Sequence, residues 1–203
     1  MIEASPMKQL QTDALLLEAH TALSKWQSPE DFVKTVKAAD QLLESDVLFN
    51  RTNINFLFDA LTLASFVKLK APEKVRLAGP GEQWPDGFVG TSQAFSNVEI
   101  TEVMEPGRRR GEEYRVKNAN KTPAPDRPED WRARGAQIPT ALEAAIKKKI
   151  AKNYAVRPIL LVELNISEYG LLQAETAEAI VKLKAQYAAA FECIYIIWKR
   201  VLY

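Results

Sequence analysis

Two short, almost wholly apolar segments near the carboxyl end constrain the fold more than any other feature of the chain. Residues 158–164 have the sequence PILLVEL, and residues 191–198 have the sequence FECIYIIW. Residues 172–188, between them, have the pattern of a helix. A strand that is apolar on both faces must be covered on both sides, so we expect a parallel pair joined by a crossover helix. The pattern therefore predicts an α/β protein.

The first third of the chain predicts three helices. Residues 6–49 have helical character with a break in the middle, where Ser28 can cap a helix and Pro29 suits the first helical position. A third helix is predicted over residues 53–70. Its residues are apolar on nearly all sides, so we expect this helix to be buried.

The middle of the chain changes character. Eight of the 11 prolines lie in residues 72–139, which favours short strands and loops over helices. Residues 105–137 are polar and lack apolar periodicity, so they predict a long loop. The next helix is predicted over residues 140–154. Three strands are predicted in this region: residues 75–78, 86–89 and 97–104.

These elements combine into one predicted architecture. We expect a small mixed β-sheet flanked by helices, which forms a core over residues 53–203. The helices of residues 1–52 would form an N-terminal extension. Because those helices are apolar, they could also pair between two subunits and give a homodimer.

The scarcity of histidine and cysteine limits the chemistry. One cysteine, Cys193, excludes an intrachain disulfide framework and fits a reducing compartment. Together with the single histidine, His20, it cannot form a structural zinc site. His20 lies outside the predicted core, and we expect it on the surface of a helix. Any chemistry is therefore left to carboxylates and lysines.

The charge balance and the apolar segments suggest where the protein acts. Lys and Arg number 27 against 26 Asp and Glu, so the net charge is +1 and a basic coat over the whole surface is excluded. The longest apolar segments are far too short to cross a bilayer. The first residues also lack the basic flank and apolar run of a secretory signal. We expect a cytoplasmic protein with no membrane partner.

Two acids on neighbouring predicted strands are the first candidate site. Strand alternation places Glu99 and Thr101 on one face of their strand. Asp86, at the start of the preceding strand, could converge with Glu99. Two carboxylates in this arrangement suit a hard divalent cation such as Mg²⁺ or Mn²⁺.

The pattern of Pro85–Asp86, twelve spacer residues and then Glu99–Ile100–Thr101 resembles the PD-(D/E)XK nuclease superfamily. The order of the predicted elements also matches its restriction-endonuclease-like core. The resemblance implies a magnesium-dependent hydrolase of phosphodiester bonds that acts on nucleic acid, DNA ahead of RNA. It also implies that Asp86 and Glu99 hold the metal, and that an acid from the first core helix joins them. That acid is Asp59, or Glu44 if the second helix is the core helix.

The main departure from the superfamily is Thr101, which stands where the resemblance implies a catalytic lysine. A helical projection of residues 142–150 places Lys149 in the middle of the apolar face. A lysine on a face that packs on the core needs a partner for its ammonium group, and a carboxylate on a neighbouring strand would be one. Lys149 is therefore the candidate replacement for the missing catalytic lysine, with Lys152 as the second choice.

The basic residues of the predicted long loop are the candidate nucleic-acid contacts. Residues 105–137 carry nine Lys or Arg against six acids. Three of these, Arg108, Arg109 and Arg110, are consecutive and could bind phosphates. An excess of three positive charges is small for a protein that binds nucleic acid.

Two other interpretations stay open. The first is a catalytically inactive domain of the same fold that serves as a nucleic-acid or protein interaction module, which Thr101 and the near-neutral charge favour. The second is that the short motif is accidental and the chain is an unrelated α/β interaction protein.

Overall fold

A computed structural model describes the chain in six pieces: residues 6–41, 54–91, 93–105, 128–166, 168 and 170–203. These residues contain five α-helices and six strands, so the predicted α/β class is confirmed. The chain divides into two compact units, residues 1–97 and 98–203. The boundary predicted between residues 52 and 53 lies outside the described residues.

The first unit begins with three helices: α1 (Pro6–Leu23), α2 (Pro29–Gln41) and α3 (Asn55–Lys70). The predicted break between the first two is present. The backbone N–H of Asp31 donates a hydrogen bond to Ser28 Oγ at 3.1 Å, so Ser28 caps α2 as expected. Pro29 takes the first position of that helix, where a missing N–H costs nothing.

The helix α3 is the centre of this unit, as its apolar composition predicts. Leu57, Leu63 and Val67 are among its fully buried side chains. A hairpin follows, in which β1 (Lys74–Leu77) pairs antiparallel with β2 (Gly87–Gly90). The predicted strands are thus present, each shifted by about one residue.

The second unit holds the predicted parallel strands. Its elements are β3 (Phe95–Val103, which begins at the end of the first unit), α4 (Pro128–Ile150), β4 (Ile159–Leu164), α5 (Gln173–Tyr187), β5 (Cys193–Trp198) and β6 (Val201–Leu202). Residues 98–103 of β3 pair in parallel with β4, and β4 pairs in parallel with β5. The short β6 pairs antiparallel with β5. The strand–helix–strand prediction is therefore confirmed.

One apolar core joins the strands and helices of the second unit. Ile138, Leu142 and Ile146 project from α4 at helical spacing and are fully buried. They belong to the same cluster as alternating residues of β4 and β5. These residues are Leu160, Val162, Leu164, Ile194, Ile196 and Trp198.

The start of α4 differs from the prediction. This helix begins at Pro128 rather than at residue 140, so residues 128–137 of the predicted loop are helical. Pro128 suits a first helical position, and Ile138 anchors the first half of the helix in the core. The helix continues through Pro139, so packing on the core outweighs the hydrogen bond that proline removes. Residues 106–127 of the predicted loop lie outside the described residues.

None of the helices in the described part of the chain is both long enough and apolar enough to span a membrane.

Candidate functional site

Glu99 occupies a fully buried position on β3. It lies opposite Leu160 of β4, and its neighbours Val98 and Ile100 are buried as well. An ionised carboxylate in such a place is costly unless cations or hydrogen-bond donors reach it. The carboxylate of Glu99 therefore needs a cation or a hydrogen-bond donor beside it.

Lys149 is the first partner. It lies in the last turn of α4, and its Nζ contacts Glu99 Oε1. The same ammonium group donates a hydrogen bond to the carbonyl oxygen of Ile100 at 2.8 Å. Only 12% of the Lys149 side chain is exposed. The predicted contact between a lysine on the core-facing side of α4 and a carboxylate on a strand is thus present.

Lys152 is the second partner. It follows the end of α4, where Asn153 adopts a positive φ of 50° that turns the chain away from the helix axis. Lys152 Nζ donates a hydrogen bond to Glu99 Oε1 at 2.6 Å. This side chain is about half exposed, so its ammonium group also reaches water. The second choice of lysine therefore contacts the same carboxylate oxygen as the first.

The two lysines determine the charge state of Glu99. Burial alone would raise the pKa of the carboxyl, but the hydrogen bonds and charges of Lys149 and Lys152 outweigh it and hold the pKa below its usual value. Both contacts use Oε1. The other oxygen, Oε2, is buried and has no hydrogen-bond partner among the described residues. The group has one negative and two positive charges.

Thr101 lies on β3 two residues after Glu99, opposite Val162 of β4. It carries no charge at the position where the resemblance implies a lysine. Lys149 and Lys152 bring positive charge to Glu99 from α4 and the turn after it. The positive charge next to Glu99 therefore comes from a helix and the turn after it, and not from β3.

The other two predicted acids lie together in the first unit. Asp59 of α3 and Asp86, just before β2, line one cavity of about 180 Å³. Glu82 lies on the same lining, where it accepts hydrogen bonds from the backbone N–H of Gly79 at 2.5 Å and from Arg76 at 3.2 Å. Asp59 and Asp86 thus line the same cavity.

His20 also lines this cavity. It lies on α1 as predicted, but its side chain is half-buried instead of fully on the surface. Its ring stacks on Phe56 with a centroid distance of 4.2 Å, and its Nε2 is 3.0 Å from the carbonyl oxygen of Ala78. Nε2 is therefore the protonated nitrogen. Burial lowers the pKa of His20 and outweighs the hydrogen bond to Ala78, which raises it. The position could not be derived from helical spacing because it depends on packing between α1 and the rest of the unit.

Each unit thus brings together one pair of predicted residues, Glu99 with Lys149 and Asp59 with Asp86. The remaining candidates, Glu44 and the run of Arg108, Arg109 and Arg110, lie outside the described residues. Within the described part of the chain, no group of three or more His, Cys, Asp or Glu side chains is placed to hold a metal ion.

Comparisons with protein-family models, with curated proteins and with solved structures find no match to the chain. The resemblance to the PD-(D/E)XK superfamily therefore stays a prediction from the motif and the order of elements.

A second buried ion pair was missed by the sequence analysis. Glu168 is fully buried and contacts Lys199, the residue that follows β5. It also accepts a hydrogen bond from the backbone N–H of Leu172 at 2.9 Å. Burial raises the pKa of Glu168, but these donors lower it by more, so the net pKa is below its usual value. No periodic pattern marks either residue, because the contact depends on how the segment after β4 folds back.

Proposed function

We propose that the chain is a magnesium-dependent, nuclease-like hydrolase that cleaves phosphodiester bonds in nucleic acid. The observation that carries the proposal is the placement of Lys149 against the buried carboxylate of Glu99. A strand carboxylate with an adjacent lysine is the pair of groups that the resemblance implies. Here the lysine comes from α4 instead of from position 101.

The free oxygen of Glu99 supports a metal role. Mg²⁺ in proteins is held by one or two carboxylates together with waters and substrate phosphates. Oε2 of Glu99 is a buried acceptor with no hydrogen-bond partner among the described residues, so it fits one ligand position. The resemblance adds Asp86 and Asp59 as further ligands. When bound, the ion would polarise a phosphoryl oxygen and lower the pKa of a bound water.

The two lysines take different roles in this proposal. Lys149 is nearly buried and holds Glu99 through Oε1, which leaves Oε2 without a hydrogen bond among the described residues. Lys152 is half exposed and can turn toward a phosphate of the substrate. Arg108, Arg109 and Arg110 are proposed to contact phosphates along the nucleic acid, with DNA preferred over RNA.

The test is cleavage of single-stranded and double-stranded DNA and of RNA in the presence of Mg²⁺ or Mn²⁺. Wild type is compared with Glu99→Gln, Asp86→Asn and Lys149→Met, and with Lys148→Met as the matched control. Lys148 is exposed on the same turn of α4. We expect loss of at least about 100-fold in the first three variants and none in the control. Cleavage that survives Glu99→Gln would contradict the proposal.

A second candidate function is a catalytically inactive domain that binds nucleic acid or protein. The observation that favours it is the charge of the site, since two ammonium groups on Glu99 Oε1 repel an incoming cation. Calorimetric titration with Mn²⁺ separates the two candidates. The hydrolase should release or absorb heat in wild type but not in Glu99→Gln, whereas the inactive domain should give the same trace for both proteins.

We also propose a cytoplasmic location and a homodimer. The single cysteine supports a reducing compartment. Leu15 and Leu17 on α1 are exposed, at 44% and 58%, which supports pairing of the N-terminal helices between subunits. Light scattering of wild type and Leu17→Glu tests the dimer, because a charge at that surface should separate the subunits.

A further inference from the structure

A group of aromatic side chains lies at the surface of the first unit, beside the hairpin of β1 and β2. Trp26, in the segment between α1 and α2, is 41% exposed, and Phe95, the first residue of β3, is 63% exposed. Their ring centres lie 5.9 Å apart. Apolar residues exposed one by one are common, but apolar side chains exposed together often mark a binding surface. Together with Phe88 of β2, these two residues form what we call the aromatic cluster.

Phe88 and Arg76 hold the exposed rings in place. Phe88 is buried, and the centre of its ring lies 6.2 Å from that of Trp26 and 5.8 Å from that of Phe95. Arg76 pairs with Phe88 across the hairpin, and its guanidinium carbon lies 3.7 Å from the centre of the Phe88 ring and 5.7 Å from that of Trp26. These contacts orient Trp26 and Phe95 before any ligand binds. The aromatic cluster is therefore preorganised.

Gly90 lets Phe95 lie close to the hairpin. A Cβ on Gly90 would lie 2.6 Å from Phe95 Cα and 2.9 Å from Phe95 Cβ. Any larger residue at this position of β2 would therefore displace Phe95. Lys74 pairs with Gly90 across the hairpin. The backbone of β2 is thus shaped to keep Phe95 beside this part of β1.

Positive charge lies beside the aromatic cluster. Lys74 and Arg76 project from the same face of β1, because side chains two residues apart in a strand share a face. Lys25 is exposed directly before Trp26. Glu82 contacts Arg76 at 3.2 Å, whereas Lys25 and Lys74 form no ion pair with any residue that the structure describes. Two lysines are therefore left to bind an anionic ligand.

Exposed rings next to such lysines match the two chemical parts of a single-stranded nucleic acid. Unpaired bases stack on aromatic side chains with little regard to their sequence, and lysines bind the phosphates. A proline-rich peptide could also pack on exposed rings, but it offers no negative charge to the lysines. A duplex keeps its bases stacked on each other, so it could use the lysines alone. The combination therefore favours a single strand.

We propose that the aromatic cluster binds single-stranded nucleic acid, with bases stacked on Trp26 and Phe95 and phosphates bound by Lys25 and Lys74. The two exposed rings are tilted by 55° relative to each other, so they cannot stack on the two faces of one base. Each ring therefore takes a base of its own. The cluster rests on the proposed function for the class of its ligand, and it adds that the strand is unpaired.

The test measures binding of a fluorescently labelled oligothymidylate of about 12 nucleotides by fluorescence anisotropy, with EDTA present so that no strand is cleaved. Unlabelled oligothymidylate, a duplex of the same length and a proline-rich peptide serve as competitors. We expect the duplex to compete at least about tenfold more weakly than the single strand, because it lacks the stacking on two rings, and the peptide not to compete. Equal competition by the duplex, or displacement by the peptide, would overturn the proposal.

Variants of the rings test the stacking. Trp26→Ala and Phe95→Ala should each weaken binding at least about fivefold, whereas Trp26→Phe should keep most of the affinity. Leu69→Ala, at another exposed apolar side chain of the first unit, should leave binding unchanged. Far-UV circular dichroism checks that the variants fold. Binding like wild type in both alanine variants of the rings would refute the site.

Variants of the lysines test the phosphate contacts. Lys25→Gln and Lys74→Gln should each reduce the steepness with which the logarithm of the affinity falls against the logarithm of the salt concentration, by about 0.7. Lys37→Gln, at an exposed lysine of α2, should leave it unchanged. An unchanged salt dependence in both Lys25→Gln and Lys74→Gln would contradict the phosphate contacts.

The same proteins separate this site from the proposed hydrolase. If wild type binds the single strand in EDTA but cleaves nothing with Mg²⁺, the aromatic cluster is supported and the hydrolase is refuted. If wild type cleaves nucleic acid while Trp26→Ala and Phe95→Ala bind as well as it does, the aromatic cluster alone is refuted.

Discussion

The ammonium group of Lys149 contacts the buried carboxylate of Glu99 across fifty residues of sequence. This contact ties the carboxyl end of α4 to β3, while Ile138, Leu142 and Ile146 attach the same helix to the core. The position of Lys149 is thus fixed by apolar packing before its charge is considered. The ion pair is preorganised by the fold.

Replacement of Lys149 by methionine should lower the free energy of unfolding by about 3 kcal/mol, because it removes a nearly buried partner of a buried charge. Lys152→Met should cost about 1 kcal/mol, since that side chain is half exposed and Lys149 remains. Urea denaturation measures both. Lys148→Met is the control on the same turn and should change little. Equal losses for Lys149→Met and Lys152→Met would contradict the unequal roles.

The lowered pKa of Glu99 predicts how stability depends on acid. The unfolded chain protonates this carboxyl near 4.5, whereas the folded chain keeps it ionised to lower pH. The contribution of the ion pairs is therefore complete above pH 4.5 and is lost as the pH falls through the folded pKa. Urea denaturation from pH 7 to pH 3 should show a steeper loss in wild type than in Glu99→Gln. Parallel curves would refute the assignment.

His20 also makes the stability of the protein depend on pH, here through a basic group instead of an acid. Burial lowers its pKa below 6.5, so the folded state resists protonation of the ring stacked on Phe56. The stability should fall as the pH drops through 6.5, and His20→Gln should remove this part of the loss. His20 is the only histidine of the chain, so its proton NMR titration is free of overlap. A midpoint at or above 6.5 would show that the prediction is wrong.

The surroundings of Gly135 predict whether its replacement by alanine raises or lowers the stability of the protein. It lies within α4, where replacement of glycine by alanine usually stabilises a helix by up to about 1 kcal/mol. A Cβ on Gly135 would instead lie 2.9 Å from Glu168 Cβ and 3.0 Å from Leu172 Cδ1. We expect Gly135→Ala to destabilise the protein by about 1–3 kcal/mol in urea denaturation. Thr140→Ala, at an exposed position of α4, should not destabilise it. A gain of stability in Gly135→Ala would mean that Glu168 moves without cost.

Much of the fold follows from periodicity in the sequence. The apolar runs that become β4 and β5 predict a parallel pair because both faces of these strands are covered. Helical spacing alone predicts that Lys149 faces the strands, since the angle between residues of α4 is fixed by the geometry of the helix. These predictions agree with the structure because they depend only on the spacing of residues that are close together in the sequence.

The parts that sequence analysis missed depend on contacts between distant residues. The first half of α4 lacks an apolar repeat, and the burial of Ile138 in the core is a contact with residues distant in sequence. The stacking of His20 on Phe56 joins two separate helices. The contact between Lys199 and Glu168 crosses 31 residues that have no regular pattern. No rule of spacing applies to such contacts, so only the packed structure reveals them.

The parallel register of β3 has a consequence for synthesis of the chain. Val98 pairs with Ile159, so β3 leaves the ribosome sixty-one residues before its partner strand. At about 5–20 residues per second, β3 waits roughly 3–12 s for β4. Lys149 and Lys152 are made only near the end of that delay, because both lie shortly before Ile159 in the sequence. Until they are made, the charge of Glu99, which the finished protein buries, would disfavour aggregation through the edge of β3 that later pairs with β4.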